Sequence, residues 1–369
     1  MNTTALRLGR GPLSGYLAGI GRAVTAGFRL HALAYALATG ALIIAVAAAA
    51  LVGRLFDTKW MLLFTLPVIF LMGVGAFWFV IRELFLLWWT GYQGSPTREL
   101  GRRIASDLVA PQRLANIFHA AMLLSIFMSA FNTLKVLIPI LNPFQWDPTF
   151  MEWDRLVHFG VHPYDILQPL LGHPQITFGV NFVYNLWYFV MLSVWMWQCF
   201  AKEDSALRQR FLVAFIITWF LGTNVLGTIF SSVGPTFYGR LLGEPDPFLP
   251  LMTYLRETAQ LFPLWAVDTQ DALWESYIAG QGLVAGISAM PSMHVGSSVL
   301  LVIIAFAAGK RRLGWCLSAF TAVIFLGSIH LAWHYAIDGY AGAAVALVGW
   351  YVAGWLVRWD RARQGIADA

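Results

Sequence analysis

Eight apolar stretches, each close to the length needed to cross a lipid bilayer, constrain the fold of this chain more than any other feature. A transmembrane helix needs about 20 consecutive apolar residues. Only 12% of the residues are charged, against roughly 25% in soluble domains. The sequence therefore predicts an all-α fold, a polytopic membrane helix bundle of about eight transmembrane helices. The predicted spans are 31–53, 60–81, 114–140, 178–200, 211–231, 293–308, 315–334 and 336–357.

The distribution of lysine and arginine predicts the orientation of these helices, because cytoplasmic loops of membrane proteins carry an excess of both. With the N-terminal segment placed inside, eighteen of the twenty-four Lys and Arg residues fall on the inner side. We therefore expect both termini in the cytoplasm, and a bacterial inner membrane with the functional site on its periplasmic side. The cations are spread over all the inner loops, which argues against a nucleic-acid-binding protein.

The organisation of the chain predicts one membrane domain, because no linker or repeat of fixed period divides it. Two long outer segments, 141–177 and 232–291, are expected to form structured caps. The stretch WDPTFMEWDRLVHFG at 146–160 is expected to pack such a cap at the membrane interface. The first thirty residues fit either a helix on the inner leaflet or a disordered tail. The two cysteines indicate neither a disulfide framework nor a cysteine metal site.

Four ionisable residues stand at the outer ends of predicted spans. His294 begins the sixth span, His330 and His334 close the seventh, and Asp338 follows just beyond. A charge at the centre of a membrane helix costs about 2.5 to 3.5 kcal/mol on insertion scales, so such residues are functional candidates by default. All four are expected at one depth, on the outer side.

His334 and Asp338 are four residues apart, which on a helix places them one turn apart on the same face. The carboxylate can then accept a hydrogen bond from one imidazole nitrogen and leave the other nitrogen unprotonated. An imidazole held in this way is a candidate nucleophile.

The stretch PSMH, residues 291–294, predicts an anion-binding helix start. Pro291 suits the first helical position, so that free N–H groups and the Ser292 hydroxyl would face a phosphate, and a protonated His294 could protonate a leaving alkoxide. Simpler interpretations remain open. Pro-Ser is also a common helix cap, a lone histidine is often an interfacial residue, and His330 with His334 resembles a metal pair whose further ligands would be Asp338 and His294.

PSMH and SIHLAWHYAID, the latter at 328–338, together resemble the second and third signature motifs of the type 2 phosphatidic acid phosphatase superfamily. The resemblance implies that His334 is the nucleophile, Asp338 its orienting partner and His294 the acid for the leaving group, and that Ser292 helps to hold the phosphate. It also implies that no metal and no cofactor is used. The implied core has six helices with the site near the outer surface, which predicts three parts: residues 1–113 as a cytoplasmic segment with two extra spans, 114–357 as the catalytic core, and 358–369 as a cytoplasmic tail.

Two cations of the family pattern are missing from this sequence. The first motif, a lysine followed after six residues by Arg-Pro, should fall at the outer end of the fifth span, where SSVGPTFYGR stands at 231–240. The arginine of the third motif is replaced by Ser328. Arg240, Tyr238 and His330 are the candidate replacements. Arg240 is the strongest because its planar guanidinium suits phosphate, although it also fits an ordinary surface arginine on a loop.

The missing arginine and the retained His-Tyr-x-x-Asp are similar to the branch that contains inositol phosphorylceramide and sphingomyelin synthases. That similarity implies transfer of a phosphorylated head group, such as inositol phosphate, from a phospholipid or other lipid phosphate donor to a lipid alcohol. The polar stripe of Asn181, Tyr184, Asn185 and Tyr188 would line a head-group cavity or join helices. The alternatives are a simple hydrolase of lipid phosphates or polyprenyl diphosphate, and a non-catalytic lipid transporter or scaffold.

Overall fold

The computed structural model describes residues 12–54, 56, 59–201, 205–280 and 286–366, and within these ranges it contains helices and no strands. The helices are α1 Pro12–Leu30, α2 Ala32–Leu51, α3 Lys59–Trp89, α4 Pro96–Arg103, α5 Pro111–Leu141, α6 Asp147–Val157, α7 Pro163–Leu171, α8 Pro174–Cys199, α9 Ala206–Trp219, α10 Gly227–Ile229, α11 Tyr238–Leu242, α12 Leu249–Ala259, α13 Trp265–Ala279, α14 Met293–Ala307, α15 Arg311–His330 and α16 Ala336–Gln364. Two π-helical segments, Ile104–Leu108 and Phe220–Leu226, follow α4 and α9, and a 3-10 turn covers Pro235–Phe237.

Seven of these helical segments are long and apolar enough to cross a membrane, which confirms the polytopic helix bundle. The chain is an integral membrane protein. The seven segments are Ala32–Leu51, Met72–Trp89, Pro111–Leu141, Pro174–Cys199, Ala206–Ile229, Arg311–His330 and Ala336–Gln364. The remaining predicted span, the sixth at 293–308, corresponds to α14, which has 15 residues. At 1.5 Å per residue it covers about 22 Å, less than the ~30 Å hydrocarbon core, so its length alone does not make it a full crossing.

Several predicted boundaries shift. The predicted seventh span runs to residue 334, but α15 ends at His330. α3, Lys59–Trp89, contains the predicted span 60–81 and continues beyond it. α16 continues through residues 358–364, the first part of the predicted tail. Residues 1–11 and 367–369, at the two ends of the predicted terminal segments, lie outside the described residues.

Close contact between α14 and α16 positions the two signature stretches. A Cβ atom on Gly342 would lie 2.2 Å from the carbonyl oxygen of Ser292, and one on Gly296 would lie 2.8 Å from the carbonyl oxygen of Gly342. Only glycine permits this approach, as is common where membrane helices pack. The Ser292 N–H therefore reaches the Asp338 carbonyl oxygen at 2.8 Å. The starts of both helices are thus fixed to each other.

Other helices pack around this pair. α9 packs on α14 and α16, and α15 packs on α14 and α8. The N-terminal helices α1, α2 and α3 all pack on α5. The two long outer segments, predicted as structured caps, contain helices α6 and α7 in the first, and α11, α12 and α13 in the second. Residues 12–30 of the N-terminal segment form α1, which favours the helix over the disordered tail for that part.

Candidate active site

A cavity of about 420 Å³ lies between α5, α8 and α14 and the segments that cap them. His294 and His334, two of the three predicted catalytic residues, both line it. The volume falls in the usual range for small-molecule sites, roughly 300 to 1,000 Å³. Much of the rest of the lining is aromatic: Phe131, Tyr184, Trp187, Tyr188, Trp219, Phe237 and Trp333.

His334 and Asp338 form the predicted contact, with Nδ1 of the imidazole 3.2 Å from Oδ2 of the carboxylate. The predicted helical register of the pair is wrong, because His334 lies in the connection between α15 and α16 and not within a helix. The chain reverses there with Ala332 at φ +60°. Asp338 is the third residue of α16, and its Oδ2 also accepts the N–H of Tyr335 at 3.0 Å. A carboxylate that turns back over a helix start in this way reaches the residue before it.

This contact selects one tautomer of His334. When Nδ1 donates to the carboxylate, Nε2 carries the lone pair. Within the described part of the chain no residue hydrogen-bonds Nε2. Asp338 is fully buried and His334 is 6% exposed. The pair therefore presents an unpaired imidazole nitrogen from a rigid, largely buried base.

His294, the second residue of α14, faces His334. Their ring centroids are 6.0 Å apart. The His294 ring lies against Tyr184 at 4.8 Å and Trp187 at 4.2 Å, which fixes its plane. No described residue forms a hydrogen bond with this ring. Both imidazoles can therefore contact one small group bound between them.

The start of α14 differs from the prediction, because Ser292 is the N-cap and the helix begins at Met293, so that Pro291 precedes the cap and is not the first helical residue. The Ser292 Oγ accepts the N–H of Val295 at 3.5 Å, and the side chain is buried behind the cavity wall. Its hydroxyl is thus a helix cap, the simpler of the two interpretations, and does not line the cavity. The N–H groups of Met293 and His294 have no partner among the described residues, as expected for the first turn of a helix.

Arg240 and Tyr238, two of the three predicted replacements for the missing phosphate-binding cations, do not line the cavity. Arg240 is held by Asp271, with Nη2 2.5 Å from the carboxylate, and the same carboxylate binds Arg256 at 2.9 Å. Tyr238 is buried against Phe248, with ring centroids 5.5 Å apart. Neither residue lines the cavity, so the prediction that they face the phosphate site is not met by the geometry. The reason is that the folded cap supplies Arg240 with its own carboxylate.

His330 is likewise turned away from the cavity. Its Nε2 lies 2.9 Å from the Thr177 hydroxyl, which also contacts the Tyr254 hydroxyl at 2.6 Å. The ring is fully buried. Among the described residues no three His, Cys, Asp or Glu side chains converge as metal ligands, and His330 does not line the cavity with His334.

The two asparagines of the polar stripe on α8 have different surroundings. Asn181 is fully buried, and its Oδ1 accepts the N–H of Ala266 at 3.1 Å, which joins α8 to the start of α13. Asn185, one turn further along, lines the cavity. Its Nδ2 donates to the Asn181 carbonyl oxygen at 2.8 Å. Asn181 therefore joins helices and Asn185 lines the cavity, so each of the two predicted roles of the stripe applies to one asparagine.

A family model described as the PAP2 superfamily matches residues 148–352, more than half of the chain. The chain belongs to the PAP2 superfamily. No curated protein and no solved structure shows a significant match to it. PAP2 superfamily membership indicates a phosphatase-like membrane enzyme that acts on lipid phosphates. The matched range contains His294, His334 and Asp338 and leaves α5 outside.

Lys135 of α5 is the cation that sequence reasoning missed in this PAP2 superfamily member. It lines the cavity with both imidazoles, and its side chain is half-buried. Among the described residues its ammonium has neither a hydrogen bond nor an ion pair. A Cβ on Gly286, which has φ +87°, would lie 2.9 Å from Lys135 Cγ, so the loop covers the aliphatic part of the lysine. The sequence did contain a signal for Lys135, because a lysine inside an apolar membrane span is a functional candidate.

Proposed function

We propose that the chain is a membrane phosphotransferase that moves a phosphorylated lipid head group through a phosphohistidine on His334. The observation that carries the proposal is the pair of facing imidazoles in one cavity. One imidazole is anchored to Asp338 through Nδ1 and has a free Nε2, and the other, His294, stands 6.0 Å away with no hydrogen-bond partner among the described residues.

In the first step, the lone pair on Nε2 of His334 forms a bond to phosphorus while the bond from phosphorus to the donor lipid oxygen breaks. His294 transfers a proton to the departing alkoxide, which leaves as an alcohol. Asp338 stabilises the positive charge that develops on the His334 ring and keeps its own hydrogen bond to Nδ1. In the second step, an acceptor hydroxyl gives its proton to His294 and displaces His334. Two displacements retain the configuration at phosphorus.

Lys135 and the start of α14 supply the positive charge in this mechanism. The N–H groups of Met293 and His294 lie at the positive end of the helix dipole, which favours an anion. One ammonium together with these partial charges balances a phosphodiester, which has one negative charge, more closely than a monoester, which has nearly two. The charge balance supports a head-group donor as the substrate.

The size and lining of the cavity support a head group larger than phosphate. A volume of about 420 Å³ leaves room beside the phosphoryl group. Flat aromatic faces with the amides of Asn132 and Asn185 suit a hydroxylated ring such as inositol. Among the described residues that line the cavity, none carries a carboxylate. The acceptor would be a lipid alcohol such as ceramide or diacylglycerol.

The same proposal assigns the parts of the chain. Residues 114–357 form the catalytic core, 1–113 an N-terminal cytoplasmic segment with two extra helices, and 358–369 a cytoplasmic tail. The cavity faces the periplasm of a bacterial inner membrane, and both termini are cytoplasmic. The distribution of Lys and Arg supports this orientation.

The deciding experiment incubates the purified protein with phosphatidylinositol, phosphatidic acid or polyprenyl diphosphate, each with and without ceramide or diacylglycerol, and identifies products by mass spectrometry. A new lipid that carries the donor head group, lost in His334→Ala, supports the proposal. Free phosphate or head-group phosphate formed equally with and without acceptor would replace it with a simple hydrolase. No product from any donor would favour a transporter or scaffold.

A further inference from the structure

Two buried carboxylates on α6 contact the segment that carries the proposed nucleophile. Asp147 and Asp154 are seven residues apart, which places them on one face of α6, two turns apart. They are 1% and 3% exposed. The family match begins at residue 148, so it leaves Asp147 out.

Asp147 joins the two loops at the edge of the cavity. Its carboxylate accepts the N–H of Val233 at 2.9 Å and the N–H of Gly234 at 2.8 Å, and Oδ1 accepts the hydroxyl of Tyr335 at 3.0 Å. Val233 lines the cavity, and Tyr335 directly follows His334. The cavity wall and the nucleophile segment are therefore bonded to one carboxylate.

Asp154 holds the start of α16. Its two oxygens accept the N–H of Ala336 at 3.1 Å and the N–H of Ile337 at 3.0 Å. These are the first free N–H groups of the helix, where the dipole favours a negative charge. Together the two carboxylates of α6 bond to Tyr335, Ala336 and Ile337, which are all the residues between His334 and Asp338.

We propose that Asp147 and Asp154 are positioning residues that hold His334 and Asp338 in the geometry for phosphoryl transfer. The inference rests on the proposed function of His334. The reacting nitrogen must stay within a fraction of an ångström of its attack position, since a displacement of about 1 Å costs on the order of 100-fold in rate. Both carboxylates act through backbone and Tyr335, and neither lines the cavity.

The electrostatics of α6 agree with this role. Burial raises the pKa of Asp147 and of Asp154, and the N–H groups that each carboxylate accepts act in the opposite direction. No described Lys or Arg pairs with either carboxylate. His158, whose Nδ1 lies 3.8 Å from Asp154 Oδ1, is the nearest basic group to Asp154. The hydrogen bonds to each carboxylate come from neutral N–H and O–H donors at fixed positions.

The test compares Asp154→Asn, Asp147→Asn and Tyr335→Phe with the wild type, all purified in detergent. Glu152→Gln is the matched control, because Glu152 lies on the exposed face of the same helix. The readouts are kcat, KM, the rate at which acid-labile phosphohistidine forms after rapid quench, and the thermal midpoint. We expect both Asp variants to lose about 10- to 100-fold in kcat and in phosphoenzyme formation, with KM within about threefold.

Tyr335→Phe removes only the hydroxyl that bonds Asp147, so it keeps the inference testable even where an Asp variant fails to fold. Its loss should not add to that of Asp147→Asn in the double variant, because the two changes break one bond. Wild-type kcat in folded Asp154→Asn and Tyr335→Phe overturns the inference. A loss that appears only in KM and thermal midpoint also overturns it, since that pattern describes a structural role.

His334→Ala separates this inference from the proposed function. Turnover that persists in His334→Ala refutes the proposed function and the inference together. Turnover that disappears in His334→Ala while the α6 variants keep wild-type kcat refutes the inference alone.

Discussion

Replacement of Lys135 by methionine is the sharpest test of how this site binds an anion. Methionine keeps most of the length and apolar volume of the side chain and removes its charge. Lys135 lines the cavity with His294 and His334, and its ammonium has no partner among the described residues. The variant would therefore remove the proposed contact to the substrate phosphate, and it breaks no side-chain hydrogen bond or ion pair between described residues.

The expected loss follows from the strength of a hydrogen bond to a charged group. Such a bond contributes about 1.5 to 3 kcal/mol. At about 1.4 kcal/mol per factor of ten, kcat/KM should fall roughly 10- to 150-fold. A half-buried ammonium without a counter-ion costs free energy in the folded protein, so the thermal midpoint should stay unchanged or rise. Activity and stability are thus expected to move independently.

The assay measures kcat/KM and the thermal midpoint of Lys135→Met beside Arg240→Gln in the same detergent and with the same lipid donor. Arg240 is the natural control because it is an outer cation that is paired with Asp271 outside the cavity. Arg240→Gln should stay within about threefold of the wild type. Wild-type activity in Lys135→Met together with a large loss in Arg240→Gln would refute the reasoning, since it would place the phosphate at the cap.

Three further predictions concern the imidazoles and the orientation. His334→Ala should abolish turnover and trapped phosphoenzyme, whereas His294→Ala should slow a lipid alkoxide leaving group far more than p-nitrophenolate; equal losses for both leaving groups would contradict the acid role. Asp338→Asn should fold and lose about two to four powers of ten in kcat, by analogy with a triad aspartate; less than a tenfold loss would contradict its role. In a variant without the native cysteines, Asp268→Cys should react with an impermeant maleimide from outside and Ser205→Cys only from inside; the reverse labelling would invert the orientation.

The contact between His334 and Asp338 was predictable because it depends on local chain geometry. A spacing of four residues brings the two side chains together on a helix, and here the carboxylate turns back over the start of α16 to reach the same partner. The helix boundary was not predictable, because the apolar run continues through Leu331, Ala332 and Trp333. A hydropathy pattern cannot show where a helix ends when the residues of the following turn are also apolar.

For the cations, by contrast, tertiary structure determines which residue is left free to bind a phosphate. Arg240 and Lys135 both stand near the outer ends of their segments, and a planar guanidinium is the better phosphate ligand in isolation. The fold of the 232–291 segment brings Asp271 to Arg240, 31 residues along the chain. No such carboxylate reaches Lys135 among the described residues. Which cation remains free depends on how a long cap folds, and a local pattern does not contain that information.

The asparagines of α8 show how the cap also sets the depth of the site. The spacing of four residues places Asn181 and Asn185 on one helix face, so the sequence predicts both equally as cavity residues. The start of α13 covers the outer one, because the Ala266 N–H bonds to the Asn181 side chain. Asn185, one turn further along α8, lines the same cavity as His294 and Trp187. The start of α13 therefore covers α8 at Asn181, and Asn185, one turn further along the helix, is left in the lining of the cavity that holds both imidazoles.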